Sequence, residues 1–138
     1  MRNPVVEEIK KSPLQIRDCG LADYRQILQL QQLLREKRQQ DKIPNTVLIV
    51  EHPAVITLGA RQSYNKLLAG REVLAHKHIE VVDVRRGGGT TAHNPGQLVF
   101  YPIVHLQQFG LGAGGYIRKL ETIGAELLEQ LDVHSTRR

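Results

Sequence analysis

The sequence has little cysteine and few aromatic residues, and these shortages exclude several classes of protein. A single cysteine cannot form an internal disulfide, and the Cys and His residues do not recur at zinc-site spacing. There is no tryptophan, and aromatic residues make up 4% of the chain, which leaves little surface for stacking on nucleic-acid bases. The longest apolar runs, Val47–Val50 and Leu98–Val104, are far shorter than the ~20 residues that span a bilayer.

Length and charge narrow the class further. A chain of 138 residues, 41% hydrophobic and 24% charged, falls in the ordinary range of one globular domain or part of one. The start of the chain lacks the apolar stretch of a secretory signal, so we expect a cytoplasmic protein. The net charge of +5 favours an acidic partner. The basic run Arg35–Lys42 also carries Glu36 and Asp41, and we interpret it as a solvated helix end. We expect neither a nucleic-acid nor a membrane partner.

Hydrophobic periodicity predicts an α/β (α+β) fold, a mixed sheet with helices packed on one face. The run Thr46–Glu51 is apolar enough for a buried strand, and Val55–Leu58 is expected to pair with it in a hairpin. In the helix Gly114–Leu131, apolar residues recur at steps of three or four. The other predicted strands are Leu14–Asp18, Ile79–Val84 and Gln97–Val104, and the other predicted helices are Ala22–Gln40 and Arg71–Ala75.

The segment Arg86–Gly96 carries the strongest sign of a ligand. Its three successive glycines allow positive φ and let the backbone approach a ligand closely, and successive N–H groups in such a turn can converge on a carbonyl oxygen or an anion. Thr90, Thr91 and His93 add polar side chains, and Arg85 and Arg86 add positive charge. The alternative is a glycine-rich connection between two strands without a ligand. The segment does not have the Walker pattern.

Other candidate motifs are weaker. Gly110–Gly115 formally matches G-x-G-x-x-G, but it does not follow a strand directly and no strand comes after it, so we interpret it as the entry to the last helix. Cys19 has no nearby residue in sequence that would activate its thiol. His93 is the leading functional candidate among the histidines and His52 is the second. The remaining four show no metal spacing: His76, His78, His105 and His134.

Two long segments resemble those of the lipoyl(octanoyl) transferases, the octanoyl-[acyl-carrier-protein]:protein N-octanoyltransferase family. Arg86–Ile103 matches every specified position of the family pattern R-G-G-x-x-T-x-H-x-P-G-Q-L-V-x-Y-P-I. Glu51–Gly59 matches a second family segment, E-H-P-x-V-x-T-x-G, with Arg61 just after it. Tyr116–Glu121 is similar to the start of the helix that follows in the family. The resemblance covers nearly the whole chain from Leu14 onward.

The resemblance implies a fold like the catalytic domains of biotin protein ligase and lipoate ligase. It implies transfer of an octanoyl group from octanoyl-acyl carrier protein to a lysine of a lipoyl domain. The expected acceptors are the lipoyl domains of 2-oxoacid dehydrogenase complexes and the glycine cleavage H protein. The transfer requires no cofactor and no ATP, because the incoming thioester is already activated. The residues it assigns to substrate binding are Arg86, Gly87, Gly88, Gly89, Thr90, Thr91, Ala92 and His93.

The resemblance assigns no catalytic residue to this chain. In the family, a cysteine takes the acyl group as a thioester and a lysine helps to lower its pKa, and both lie in segments beyond the last helix seen here. Neither Lys119 nor Cys19 stands in the matching motif. We therefore expect residues 1–138 to form a single, incomplete octanoyltransferase domain, roughly the amino-terminal two-thirds of the family fold. We expect this chain alone to be inactive, and to be poorly soluble or dimeric.

Three alternatives remain open at this stage. The first is an ATP-dependent lipoate-protein ligase, whose pattern R-R-x-S-G-G-G-x-V-x-H-D-x-G-N resembles Arg85–Gly89. Pro95–Gln97 in place of D-x-G-N, followed by Tyr101–Ile103, favours the transferase. The second is a non-catalytic module that binds an acyl chain or its carrier protein. The third is a globular domain without a ligand.

Overall fold

A computed structural model describes residues 13–136 of the chain. The prediction that the chain lacks a secretory signal concerns its first residues, which lie outside this described part. The described residues form six strands, three α-helices and two short 3₁₀ helices, at Gln62–Tyr64 and Leu106–Phe109. The strands are β1 (Gln15–Leu21), β2 (Thr46–Glu51), β3 (Val55–Leu58), β4 (Glu80–Asp83), β5 (Thr90–His93) and β6 (Val99–Ile103). The helices are α1 (Tyr24–Gln39), α2 (Arg71–His76) and α3 (Ala113–Gln130).

The strands form two three-stranded sheets, each with one parallel and one antiparallel pair. In the first, β2 lies between β1, which is parallel, and β6, which is antiparallel with Thr46 opposite Ile103. In the second, β3 lies between β4, which is parallel, and β5, which is antiparallel with Val55 opposite His93. The mixed α+β class predicted from periodicity is confirmed, with two mixed sheets in place of one.

Two apolar clusters hold α1 against the strands. Along β2 every second side chain is buried, as expected for a strand that turns one face to a core. The first cluster joins the buried face of α1 to the first sheet, and the second joins Tyr24 of α1 to Val55 and Val82 of the second sheet. The buried members of the first cluster are Ile27, Leu34, Leu48, Val50 and Ile103. Helix α1 therefore packs against strands of both sheets.

The ends of α1 are fixed by side chains. Asp23 is the N-cap and accepts a hydrogen bond from the Gln26 amide, which satisfies one of the free N–H groups of the first turn. At the other end, Arg38 is buried, and its guanidinium donates to the side chains of Asn45 and Asp41 and to the carbonyl of Ile43. The interpretation of Arg35–Lys42 as a solvated run is therefore wrong for Arg38, which ties the helix end to the connection before β2.

The predicted hairpin between Thr46–Glu51 and Val55–Leu58 is wrong, because the two strands belong to different sheets. Both edges of β2 are occupied by β1 and β6, and both edges of β3 by β4 and β5. A central strand has no free edge to offer a sequence neighbour. Residues 52–54 instead carry the chain from one sheet to the other.

The chain divides into two compact units, the first ending at Ile103 and the second starting at Val104. The second contains α3, whose predicted bounds of Gly114–Leu131 are confirmed to within one residue at each end. Gly110 precedes it in the left-handed conformation, at φ 62°. The apolar stripe of α3 is exposed, at Ile117, Leu120, Ile123, Leu127 and Leu131. Within residues 13–136, none of the helices has the length and apolar character needed to cross a membrane.

Candidate functional site

The segment that the sequence marked as a ligand loop is half turn and half strand. Arg86–Gly89, here called the glycine turn, leads directly into β5, which the sequence analysis did not predict. Strand β5 pairs antiparallel with β3 and places Thr90 opposite Leu58 and Ala92 opposite Ile56. The interpretation of all of Arg86–Gly96 as one loop is therefore wrong for Thr90–His93. The eight residues assigned to substrate binding form one continuous turn and strand at the edge of the second sheet.

The glycine turn makes close backbone contacts that side chains would prevent. A Cβ on Gly59 would overlap the carbonyl oxygen of Gly88, and a Cβ on Gly89 would overlap the carbonyl oxygen of Tyr64. Two hydrogen bonds accompany these contacts, from the Ala60 amide to the Arg86 carbonyl (3.0 Å) and from the Gly59 amide to the Gly89 carbonyl (3.3 Å). At both positions the absence of a side chain serves approach to the protein's own backbone. Among the glycines of this turn, Gly87 alone combines open space at the position of a Cβ with an ordinary φ.

The side chains of Asn65 and Thr90 make hydrogen bonds that fix residues 59–66 next to the glycine turn and β5. The amide of Asn65 binds the backbone of Gly59 at both ends, accepting from its N–H (3.0 Å) and donating to its carbonyl (2.8 Å). The hydroxyl of Thr90 accepts from the Lys66 amide (2.8 Å) and donates to the Lys66 carbonyl (3.0 Å). Sequence reasoning missed this region, because the Thr90–Lys66 pairing joins residues 24 positions apart and the Asn65–Gly59 pairing, over six positions, matches none of the motifs considered. These bonds make the region after β3 a second part of the site.

The guanidinium of Arg86 is hydrogen-bonded within the protein and stabilises the glycine turn, so it does not extend freely into solvent. Its guanidinium donates to the hydroxyl (2.6 Å) and carbonyl (3.1 Å) of the buried Thr57, and to the carbonyl of Gly87 (3.0 Å). Arginine has five N–H donors in a fixed fork, so one side chain can tie β3 to the turn in this way. The expectation of positive charge at the mouth of the loop therefore fits exposed Arg85 better than half-buried Arg86.

Four rings form an aromatic cluster beside β5: Tyr24, His52, His93 and Tyr101. The ring of His52 lies 5.1 Å from that of Tyr24, 5.5 Å from that of His93 and 5.9 Å from that of Tyr101, between centroids. Tyr24 also stacks on His93, at 5.9 Å with 21° between the planes. His93 is fixed on its other side, where Nδ1 lies 2.7 Å from the Gln97 side-chain oxygen. The two histidines ranked as functional candidates therefore belong to one cluster, and their rings contact each other.

His52 is fully buried, and both of its ring nitrogens have partners. Nδ1 lies 2.8 Å from the carbonyl oxygen of Ala22, and Nε2 lies 2.9 Å from the hydroxyl of Tyr101. Since a carbonyl can only accept, a neutral His52 carries its proton on Nδ1, and Nε2 accepts from the Tyr101 hydroxyl. Sequence reasoning placed His52 second among the candidates and did not identify Tyr101 or Tyr24 as its neighbours.

Burial favours the neutral forms of three members of this cluster, His52, Tyr101 and Tyr24. It lowers the pKa of His52, to which the neighbouring His93 adds a smaller effect in the same direction. It raises the pKa of Tyr101 to about 12 and raises the pKa of Tyr24, while the charge of Arg86 acts in the opposite direction on both tyrosines. His52, Tyr24 and Tyr101 are therefore uncharged at neutral pH, and they give this side of the site an apolar character with fixed hydrogen-bonding directions.

The turn that follows β5 is also anchored. The Gly96 amide donates to the carboxylate of Glu51 at 2.6 Å, and Gly96 adopts φ 86°, which favours glycine. Glu51 is the last residue of β2 and Gly96 lies between β5 and β6. The two segments that carry the sequence resemblance, Glu51–Gly59 and Arg86–Ile103, are thus joined by hydrogen bonds at several points in the folded chain.

The single cysteine lies on a strand of the first sheet, whereas β5 of the candidate site belongs to the second sheet. Cys19 is half-buried on β1, and its thiol lies 3.9 Å from the carbonyl of Arg17. Its side chain packs against the first apolar cluster, the one built on Leu48 and Val50. Across the part of the chain that the structure describes, no three His, Cys, Asp or Glu side chains group in a way that could hold a metal ion.

The fold and the site define a class of protein. Residues 23–138 match the family described as the lipoyl protein ligase A/B catalytic domain, and the chain belongs to this family. It is 42% identical over 120 residues to an octanoyltransferase of Syntrophobacter fumaroxidans, covering 87% of this chain and 53% of that protein. It is 43% identical over 115 residues to an octanoyltransferase of Acidobacterium capsulatum, covering 78% of this chain and 47% of that protein. The chain spans about half the length of the curated relatives it matches.

A solved structure shows the same fold. The crystal structure of P. falciparum LipL1 in complex with lipoate superposes with a TM-score of 0.51 at 14% sequence identity, covering 64% of this chain and 29% of that one. At this identity the likeness concerns the fold alone. It agrees with the fold that the sequence resemblance implied, that of a lipoate ligase catalytic domain.

Proposed function

We propose that this chain is part of an octanoyltransferase that moves an octanoyl group from acyl carrier protein to a lysine of a lipoyl domain. The observation that carries the proposal is the identity of 42% over 120 residues to a protein named as an octanoyltransferase. In the complete reaction the thioester C–S bond breaks and an amide C–N bond forms, and the carrier thiol takes up a proton from the lysine amine. The incoming thioester supplies the driving force, so no ATP is consumed.

Within that reaction, the role proposed for this chain is to bind and orient the acyl group. The proposed contact surface is the glycine turn together with β5, from Arg86 to His93. Gly87 offers backbone and open space to an acyl chain, and the partly exposed ring of His93, which stacks on Tyr24, offers further contact surface. Backbone N–H groups of such a turn are suited to a thioester carbonyl oxygen. The cysteine and lysine that carry out acyl transfer in the family pattern are not assigned to any residue here.

The proposed donor is octanoyl-acyl carrier protein. The proposed acceptors are the lipoyl domains of 2-oxoacid dehydrogenase complexes and the glycine cleavage H protein, with the reaction taking place in the cytoplasm. The net charge of +5 supports an acidic donor protein, because opposite net charges steer encounter. Arg85 directly precedes the glycine turn and Arg61 lies in the segment bound to it, and both side chains are exposed.

The test is to mix the purified chain with octanoyl-acyl carrier protein and measure both binding and intact mass. We expect binding to the octanoyl form that is stronger than binding to the unacylated carrier, and an unchanged chain mass of 15.6 kDa. Gly87→Leu should weaken octanoyl-dependent binding, because it fills the open space at the turn without touching the fold. Ala125→Leu adds a side chain of the same size on exposed α3 and should leave binding unchanged.

Three results would contradict parts of this proposal. Equal binding of the acylated and unacylated carriers would contradict the proposed acyl-binding site. A hydroxylamine-sensitive octanoyl adduct that Cys19→Ala abolishes would mean that this chain carries its own acyl-accepting thiol. Formation of a lipoyl adenylate from lipoate and ATP would favour the ATP-dependent lipoate-protein ligase instead.

A further inference from the structure

His52 lies where the chain leaves the first sheet and enters the second. It follows β2 directly and precedes β3 by three residues, and it is fully buried. A buried imidazole is costly unless both ring nitrogens are satisfied, and here both are, by Ala22 at 2.8 Å and Tyr101 at 2.9 Å. Ala22 directly precedes the cap of α1, and Tyr101 lies in β6. One side chain thus bridges a helix start to a strand of the first sheet.

The bridge has a direction. Because the Ala22 carbonyl can only accept, the Nδ1–H of His52 donates to it, and Nε2 accepts from the Tyr101 hydroxyl. The hydroxyl hydrogen of Tyr101 therefore points towards Nε2 of His52. The Ala22 amide donates in turn to the Glu51 carbonyl at 2.9 Å, so the backbone on both sides of the bridge is fixed as well. Exchanging donor and acceptor at any of these points would break a buried hydrogen bond.

The bridge contacts the proposed acyl site through His93. The His52 and His93 rings meet edge to face at 5.5 Å, and Tyr24, which touches both, stacks on His93. His93 lies at the end of β5 and belongs to the second sheet. The place of β5 relative to β6 therefore depends on packing against a ring whose orientation is set by two hydrogen bonds, one to Ala22 before α1 and one to Tyr101 in the first sheet.

We propose that His52 is a positioning residue of the acyl site, fixed as the Nδ1–H tautomer by Ala22 and Tyr101, and that it sets the place of His93 and of β5. The proposal deepens the function proposed above and rests on it where acyl binding is concerned. The titratable or charged groups around His52 are Asp23 and Tyr24 on α1, His93 on β5 and Tyr101 on β6, with Arg86 acting on both tyrosines.

The first arm of the test is spectroscopic and needs no acyl ligand. Long-range ¹H–¹⁵N spectra of the ¹⁵N-labelled chain at neutral pH should show His52 as a neutral ring protonated at Nδ1. Tyr101→Phe removes one hydroxyl and keeps the ring. It should shift the Nε2 signal of His52, whose hydrogen bond is lost, together with the ring signals of His93 and the amide signals of Thr90–His93. The control is Tyr116→Phe, which removes a half-buried hydroxyl on α3 and should move none of these signals.

The second arm measures binding of octanoyl-acyl carrier protein. Tyr101→Phe should weaken it by about tenfold, the value of one hydrogen bond, through displacement of β5, while Tyr116→Phe leaves it unchanged. His52→Gln, which can still reach Tyr101, should weaken it less than His52→Leu. A graded loss of this kind separates an oriented hydrogen bond from simple filling of space.

The outcomes are distinguishable. A protonated His52, or one that carries its proton on Nε2, overturns the proposal. So does a Tyr101→Phe spectrum in which His93 and β5 keep their wild-type signals. If the spectra change as expected and the wild-type chain fails to bind octanoyl-acyl carrier protein, the positioning role stands and the proposed function fails.

Discussion

Gly59 and Gly88 meet backbone to backbone, with no room for a Cβ between the Cα of Gly59 and the carbonyl oxygen of Gly88. Gly59 ends the segment that resembles E-H-P-x-V-x-T-x-G, and Gly88 lies in the segment that resembles R-G-G. The contact explains why a glycine is needed at the end of β3. It also holds the glycine turn at a fixed distance from the strand that supports it.

Gly59→Ala should destabilise the protein by about 1–3 kcal/mol, because the added methyl group forces two backbone segments apart. Gly87→Ala is the matched control, since it adds the same methyl group to the glycine turn that Gly59 contacts, in open space and at an ordinary φ. We expect it to change the free energy of unfolding by less than about 0.5 kcal/mol. Urea denaturation of the three proteins measures both effects. Equal stability of the two variants would mean that the close contact is absent in solution.

Arg38→Met should cost about 2–3 kcal/mol in the free energy of unfolding, because it removes the donors that reach Asn45 and the carbonyl of Ile43 in a buried region. Arg35→Met lies one turn earlier on the exposed face of α1 and should cost less than about 0.5 kcal/mol. Thermal denaturation followed by circular dichroism distinguishes the two. A similar loss of stability in both variants would mean that Arg38 is solvated, as the sequence predicts for the whole run Arg35–Lys42.

Stability should fall as the solution is acidified, with a contribution from His52. Burial lowers the pKa of His52 in the folded state, so below its ordinary value of about 6.5 the unfolded chain binds a proton that the folded chain does not. The free energy of unfolding therefore decreases as the pH falls from about 6.5 towards the lowered pKa of the folded state, and above 6.5 this contribution is flat.

The measurement is urea denaturation of the wild type and of His52→Gln between pH 5 and 8. The wild type should lose more stability on acidification than the variant, by up to about 1.4 kcal/mol per pH unit. Parallel curves for the two proteins would show that His52 titrates alike in the folded and unfolded states.

The exposed stripe on α3 should cause self-association in solution. Ile117, Leu127 and Leu131 are 55%, 43% and 64% exposed, and apolar side chains aligned at helical spacing favour contact with another apolar surface. Leu127→Lys should reduce association across a concentration series in sedimentation equilibrium. Glu126→Lys also replaces the side chain by lysine, but off the stripe, and should leave association unchanged or reduce it less. A wild-type chain that stays monomeric throughout would contradict the expectation.

Local pattern was enough to find most of the elements. The bounds of β2 and β3 follow directly from their apolar runs, and α1, α2 and α3 are found within two residues of their predicted ends. Each of these elements is marked by its own residues, either through helical periodicity or through a run of β-branched side chains. Strand β5 was missed because Thr90–His93 has no alternating apolar pattern. It is a strand because β3 supplies its hydrogen bonds.

The candidate site divides in the same way. The sequence singled out Arg86–His93 and ranked His93 and His52 above the other histidines, using glycine content, neighbouring polar residues and the two motif matches. It gave no sign of Asn65, which binds Gly59 six residues away, or of Thr57, whose partner Arg86 is 29 residues away. It also assigned Gly87–Gly89 to ligand approach, whereas Gly89 makes room for the carbonyl group of Tyr64.

The sequence by itself therefore determined the elements, the α+β class and the segment where the site lies, because helical and strand periodicities are local and a long motif match is specific. The tertiary structure alone decided which strands pair, that β2 and β3 separate into two sheets, and that Arg38 is buried. It also decided that His52 bridges Ala22 and Tyr101. The strand pairing and the His52 bridge depend on hydrogen bonds between residues far apart in the chain, so no short window of sequence contains both partners. The partners of Arg38 lie within seven residues, but its burial depends on how the end of α1 folds against the connection to β2.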